Sequence, residues 1–286
     1  MITGNECIPC FTRQCVRLAE RLTEDIEIQK KIILKGISFL NEYSYNKPSP
    51  YIVGLLYDYA KKITENDDPY RDEKKKYNEI AIGILNSLNK NKKSLTYKKE
   101  LDRAIRLSLA GNIIDFGVGD KISKEDIDNS IKDALENQIY PCGLNKLIEE
   151  IEKAKQILFL ADNVGEMIFD INLIEKIGTA KVTYGVKSGA IVNDVTLEDA
   201  KLFEVHKKIR LIDNGTSRQG TILEMCSKEF ISIYNNADLI ISKGQANYET
   251  LESYNNNKIF FLLKAKCISI ANHIGCKQGE FVVKRG

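Results

Sequence analysis

Carboxylates, amides and lysines recur in this chain directly after short apolar runs. Asp162-Asn163 follows Ile157 to Ala161, while Lys187, Gly189 and Asn193-Asp194 follow Val182 to Val186. Asp213-Asn214-Gly215 closes the run from Ile209 to Ile212. Lys243-Gly244-Gln245, with Asn247 and Glu249 close behind, follows Leu239 to Ile241, and Lys264 and Lys266 follow Ile259 to Leu263. Hard oxygen ligands hold a divalent cation, and lysines neutralise the non-bridging oxygens of a phosphate. Together they suit metal-assisted phosphoryl chemistry, whereas carboxylates alone would repel such a substrate. The two histidines, His206 and His273, form no His-x-x-x-His or Glu-x-x-His spacing. A histidine-rich zinc centre is therefore not expected. Magnesium or manganese fits an oxygen site better, with cobalt or nickel as substitutes in the test tube.

Each piece alone has an ordinary explanation. Asp and Asn are common turn and cap residues at strand-to-helix junctions. Thr196 to Asp199 spells a capping box, so Asn193-Asp194 could simply shape the turn before it. Gly215 to Gly220, with Thr216, Ser217 and Thr221, is either a phosphate cradle at a helix start or a plain loop. Lys243-Gly244 and Lys264 stand out by position, each close behind a run expected to be buried. Asn112 and Asp115, in Gly111-Asn112-Ile113-Ile114-Asp115, read as a local turn or as a contribution to a cleft.

The elements that must carry these residues are of two kinds. From about Cys10 to Glu136 apolar residues recur at helical spacing. Helix starts are marked by Ser49-Pro50, by Asp68-Pro69 and by the capping-box spacing of Ser123 to Asp126. After about Gln156, short apolar runs alternate with polar turns and helical patterns, the signature of a parallel α/β sheet covered on both faces. Phe281 to Val283 is read as an added edge strand. The expected division is a mainly helical lobe over residues 1–150 and an α/β metal- and phosphate-binding domain over 151–286. In such sheets ligands gather outside the carboxyl ends of the strands, where the residues above fall.

Bulk composition narrows the partners. The 42 basic and 40 acidic residues nearly cancel, so charge calls for neither nucleic acid nor a membrane surface. No run is apolar over the roughly 20 residues of a membrane span, and Met1 to Cys10 lacks a basic region followed by an apolar one. A cytoplasmic location is expected. The seven cysteines are odd in number and irregularly spaced, which does not suit a disulfide framework. Cys7 and Cys10 form one pair that could bind structural zinc, with Cys15 or Cys142 completing the site, or act as a redox pair. Nothing singles out an interface between subunits, so a monomer is expected.

The pieces together resemble the damage-control phosphatases, formerly domain of unknown function eighty-nine, in the branch with an amino-terminal cysteine pair. The resemblance spans nearly the whole chain. It rests on Cys7-Ile8-Pro9-Cys10, Gly111-Asn112 with Asp115, Asp162-Asn163-Val164-Gly165-Glu166, Asn193-Asp194-Val195-Thr196 and Lys243-Gly244-Gln245-Ala246-Asn247-Tyr248-Glu249. It implies a helical lobe on a Rossmann-like domain, a divalent metal held by Asp162, Asn163 and Asp194, and substrate-phosphate contacts from Lys243-Gly244 and Lys264. It also implies hydrolysis of phosphate esters of small metabolites, sugar phosphates or damaged phosphometabolites. Glu166 or Asp213 is the expected base, with Asn247, Asn112 and Asp115 near the substrate. Lys187-Ser188-Gly189-Ala190 departs from the glycine-proline turn of the family pattern. Direct attack by water is expected, because Ala161-Asp162-Asn163-Val164 lacks the Asp-x-Asp-x-Thr of phosphoaspartate enzymes. Two rivals remain: a methyltransferase-like nucleotide-cofactor enzyme, which would want a glycine-rich loop where only Gly165 occurs, and a non-enzymatic metal-binding module built on the cysteine pair.

Overall fold

The structure is a computed structural model and describes residues 1–90, 95–111, 124–136 and 139–286. Helices α1 (Cys7–Leu22), α2 (Ile26–Tyr43) and α3 (Ser49–Thr64) pack on one another around Phe11, Leu18, Ile32, Ile52 and Leu56. Asp25 caps α2 by accepting from the amides of Glu27 and Ile28. Ser49 does not cap α3 as expected. The helix begins at Ser49 itself, behind Pro48, with Pro50 in the first turn where its missing amide has no partner to lose. Asp68 instead turns the chain one step ahead of α4 (Arg71–Lys90), accepting from the Tyr70 amide at 3.2 Å. The capping position expected at Ser123 lies outside the described residues.

Helices α5 (Tyr97–Ala110) and α6 (Lys124–Glu136) lead to β1 (Tyr140–Cys142) and α7 (Leu144–Lys153). The alternating part follows: β2 (Ile157–Leu160), α8 (Val164–Ile177), β3 (Val182–Val186), α9 (Leu197–Leu202), β4 (Arg210–Asp213), α10 (Lys228–Asn236), β5 (Leu239–Lys243), α11 (Gln245–Leu251), β6 (Ile259–Lys264), α12 (Ile268–Ile274) and β7 (Phe281–Arg285). The strands form one sheet in the order β1-β7-β6-β5-β2-β3-β4, parallel from β6 through β4. This is the expected α/β fold, a Rossmann-like, mainly parallel sheet joined to an all-helical amino-terminal region.

Phe281 to Val283 is not at the edge. β7 runs antiparallel to β6 and is itself flanked by β1. The missed strand holds Pro141, a residue that sheets tolerate at an edge, and shows no apolar run to announce it. Alternation within the strands explains why the runs looked continuous. Ile157, Phe159, Val182, Tyr184, Leu239 and Ile241 join the core beneath α5, α7 and α8, while Leu158, Leu160, Ile240, Phe261 and Leu263 join the core beneath α10, α11 and α12. With both faces covered, most positions of the central strands are apolar. The boundary expected at residue 150 falls inside α7, and the first of these cores extends across it from Ala81 and Leu101 to Leu262. Among the described residues no helix is long and apolar enough to cross a membrane.

Candidate active site

After β2 the chain turns to β3 and β4 on one side, and β5 and β6 occupy the other side. The carboxyl ends of β2 and β5 therefore flank the topological switch point, where α/β sheets open a crevice. Asp162-Asn163 lies at the end of β2 and Gly244 directly follows β5.

Main-chain hydrogen bonds lace the segment after β2 to the segment before α9. The Val195 amide donates to Asp162 O and the Val164 amide to Asn193 O, both at 2.9 Å, and Asn163 and Asp194 are antiparallel bridge partners. A tight turn, with the Asp194 amide bonded to Ile191 O at 3.0 Å, forces Val192 to φ +47°, a left-handed conformation that a β-branched residue rarely adopts. Such strain persists only where the surroundings over-determine it. Here the turn brings the main chain of Asp194 alongside that of Asn163, and the expected Thr196–Asp199 capping box forms just beyond it.

All three side chains are buried. The Asn163 amide nitrogen donates to Asp162 Oδ2 at 3.0 Å and Glu166 Oε1 at 2.9 Å. Since carboxylates only accept, this fixes which end of the amide is nitrogen and leaves the carbonyl oxygen as the atom Asn163 offers a cation. Two carboxylates and one amide oxygen are a hard donor set that fits magnesium or manganese. Among the described residues no cluster of three or more His, Cys, Asp or Glu side chains forms a metal site.

Lys243 has a different place from the one expected of a phosphate-binding turn. β5 continues through it, and its side chain enters the core on the α5–α8 face, where it is 0 % exposed. Its Nζ donates to Glu166 Oε2 at 2.7 Å, Asp170 Oδ1 at 2.8 Å and Ser108 O at 3.0 Å. An ammonium has three N–H bonds, so none remains for a substrate. Burial alone would lower the Lys243 pKa, but Asp170 and Glu166 outweigh it and hold it above the ordinary lysine range. Burial pushes the Asp170 carboxyl up, against the pull of Lys243. Ser108 Oγ donates to Asp170 Oδ1 at 2.6 Å. Asp170 escaped sequence reasoning, although its spacing of four from Glu166 in the buried first half of α8 puts both carboxylates on one face.

Asn247 also faces inward. Its amide nitrogen donates to Ala161 O at 3.1 Å and Lys243 O at 2.8 Å, and its oxygen accepts from Thr221 Oγ1 at 2.7 Å. It braces the ends of β2 and β5 against the loop before α10, instead of facing a substrate. Gly244, at φ +79°, is pressed against Asp162 so closely that a methyl group there would overlap the carboxylate. Asp213 caps its own turn through the Gly215 amide at 2.9 Å. The turn amides of Gly215, Thr216 and Thr221 are bonded within the protein, and a 3-10 turn follows instead of an α-helix start. Lys264 stands two strands from β2, its Nζ 5.2 Å from the centre of the Phe281 ring. Asn112 and Asp115 lie outside the described residues.

Helix α3 packs against the loops that follow β3 and β4. Lys61 Nζ donates to Ala190 O, and Arg218 reaches across Gly54 to its carbonyl and to Asp58. A side chain on Gly54 would collide with that guanidinium. The cysteine pair lies elsewhere, in the first turn of α1, with Cys10 exposed and Cys7 half-buried. Burial pushes the Cys15 thiol up to about 12. Cys10 is therefore expected to react with iodoacetamide at pH 8 in the folded protein while Cys15 stays protected, which peptide mass spectrometry would check. The Cys142 side chain lies outside the described residues.

A strand-to-helix turn without a glycine-rich loop, two carboxylates and an amide at the switch point, and a helical region packed on the loops after β3 and β4 agree with the class that the comparisons give. The chain belongs to the damage-control phosphatase ARMT1-like domain family, whose profile matches residues 3–282. It is 36% identical to damage-control phosphatase PH1575 of Pyrococcus horikoshii over 98% of this chain and 96% of that one. It is 30% identical to a damage-control phosphatase of Archaeoglobus fulgidus over 97% of each. The crystal structure of the Pyrococcus horikoshii protein, a DUF89 family member, superposes with a TM-score of 0.90 over 100% of this chain and 99% of that chain.

Proposed function

We propose that this protein is a metal-dependent phosphatase acting on phosphate monoesters of small metabolites, sugar phosphates or damaged phosphometabolites among them. The observation that carries the reading is that the Asn163–Asp162 hydrogen bond and the Asn163–Asp194 main-chain bridge join these three buried residues at the switch point, in a chain whose relatives are named damage-control phosphatases. These three residues would hold the divalent cation, magnesium or manganese with cobalt or nickel substituting. When bound, it would polarise the phosphoryl group and lower the pKa of a coordinated water.

The chain's own residues supply orientation. Glu166, fixed by Lys243, holds the Asn163 amide, and Asn163 in turn holds Asp162. The main-chain lacing keeps Asp194 at a set separation from them. Asp162 is bonded by Asn163 and walled by Gly244, which suits a ligand better than a freely approaching nucleophile. Attack by water follows, and a trapped phosphoenzyme on Asp162 would sink that part of the proposal.

Metal-stripped protein given magnesium, manganese, cobalt or nickel is expected to hydrolyse an aryl phosphate, and Asp194→Ala to lose on the order of a thousandfold in rate, about 4 kcal/mol. A folded wild-type protein inactive with every metal would refute the phosphatase reading.

A further inference from the structure

A phosphate ester entering beside Asp162 and Asp194 brings more negative charge to a carboxylate-lined crevice. It needs a cationic donor that is already in place, because a mobile surface lysine would lose side-chain entropy on ordering. Lys243 has all three N–H bonds committed to the protein. Arg218 is tied to Gly54 and Asp58, Lys61 is a half-buried residue of α3 and not of a strand end, and Lys264 lies two strands away over Phe281. Lys187 differs from each of them. It directly follows β3, the strand beside β2, and is 3 % exposed. Its Nζ donates to Gly220 O and stands 3.6 Å from Asp194 Oδ2, beyond an ordinary hydrogen bond. Its main chain is fixed on both sides: the Lys187 amide donates to Val195 O at 2.8 Å, and the Leu197 amide donates to Lys187 O at 3.1 Å.

From this placement we propose that Lys187 is the ammonium that binds the phosphate of the substrate, and of the inorganic phosphate product. The assignment rests on the phosphatase reading and deepens it. A buried ammonium beside Asp194, with donor capacity left over from a single carbonyl, can bond a phosphoryl oxygen without leaving its place. Gly220 O holds the side chain from one side, with the Asp194 carboxylate 3.6 Å away on another.

The test measures inhibition of aryl phosphate hydrolysis by inorganic phosphate, with the activating metal present, in wild type, Lys187→Gln and Lys187→Arg. The expected result is that Lys187→Gln raises both KM and the phosphate inhibition constant at least about tenfold, the lower end for a charge-assisted hydrogen bond. Lys187→Arg should recover most of the difference. If Lys187→Gln does not fold, Lys187→Met, apolar and of similar length, is read in its place. Were Lys187 only the counter-ion of Asp194, the metal concentration for half activation would shift while phosphate inhibition stayed at the wild-type value, and that outcome overturns the assignment. The phosphatase reading would survive it. A wild type that neither hydrolyses the ester nor binds phosphate would remove both.

Discussion

Lys243→Met is expected to lose about 3–5 kcal/mol of stability at neutral pH, because it leaves Glu166 and Asp170 buried without their cation. Domain stabilities are commonly about 5–15 kcal/mol, so the variant would be marginal. Its pH dependence should also change. The Asp170 carboxyl is already pushed up by burial, and losing Lys243 removes the main influence pulling it down. A carboxyl whose folded pKa lies above its unfolded value stabilises the fold below the unfolded value, about 4, and that contribution is lost as pH rises through the folded one. The variant should therefore be relatively more stable at pH 5 than at pH 8. Urea unfolding at both values checks this. A wild-type urea midpoint, combined with a raised KM, would show instead that Lys243 meets substrate.

Gly244→Ala is expected to cut activity on the order of a hundredfold while the protein remains folded. The added methyl group would overlap the Asp162 carboxylate, and displacing a catalytic group by about an ångström costs rates of that order. The left-handed backbone at φ +79° adds roughly 1–2 kcal/mol of strain. Steady-state kinetics across a metal titration, with thermal unfolding alongside, would separate the two effects. Full activity at saturating metal would mean that Asp162 is not needed where Gly244 holds it.

Much of the fold was legible because a sheet covered on both faces leaves a plain trace, short unbroken apolar runs between helical patterns. The starts of β2, β3, β5, β6 and β7 follow from that rule alone. β1 was not legible, since three residues around a proline carry no apolar run and are strand only by pairing with β7. At the site, the residue types after each run were informative, but the direction of the side chains was not. Lys243 was read as the first residue of a turn. It is the last residue of a strand, and its alternation with Ile241 sends it into the covered face. Asp170 went unnoticed because its spacing from Glu166 has meaning only once Lys243 is known to face them both. Asn247 was recognised as part of a motif, yet its bonds to Ala161, Lys243 and Thr221 join three distant segments that no local pattern relates.

The strand order also sets a timetable for the growing polypeptide. β2, β3 and both partners of the Asn163–Asp194 bridge all come before β4 in the chain. By then the nascent chain already carries Asp162, Asn163 and Asp194, along with Glu166 and Asp170. Lys243 and Gly244 arrive only with β5, after β4 and α10 have been made. Until β5 docks against β2, the two helix carboxylates lack their counter-charge and Asp162 lacks its wall. The residues proposed as ligands thus precede in the chain the two residues that steady them, and a chain ending before β5 would hold an incomplete site.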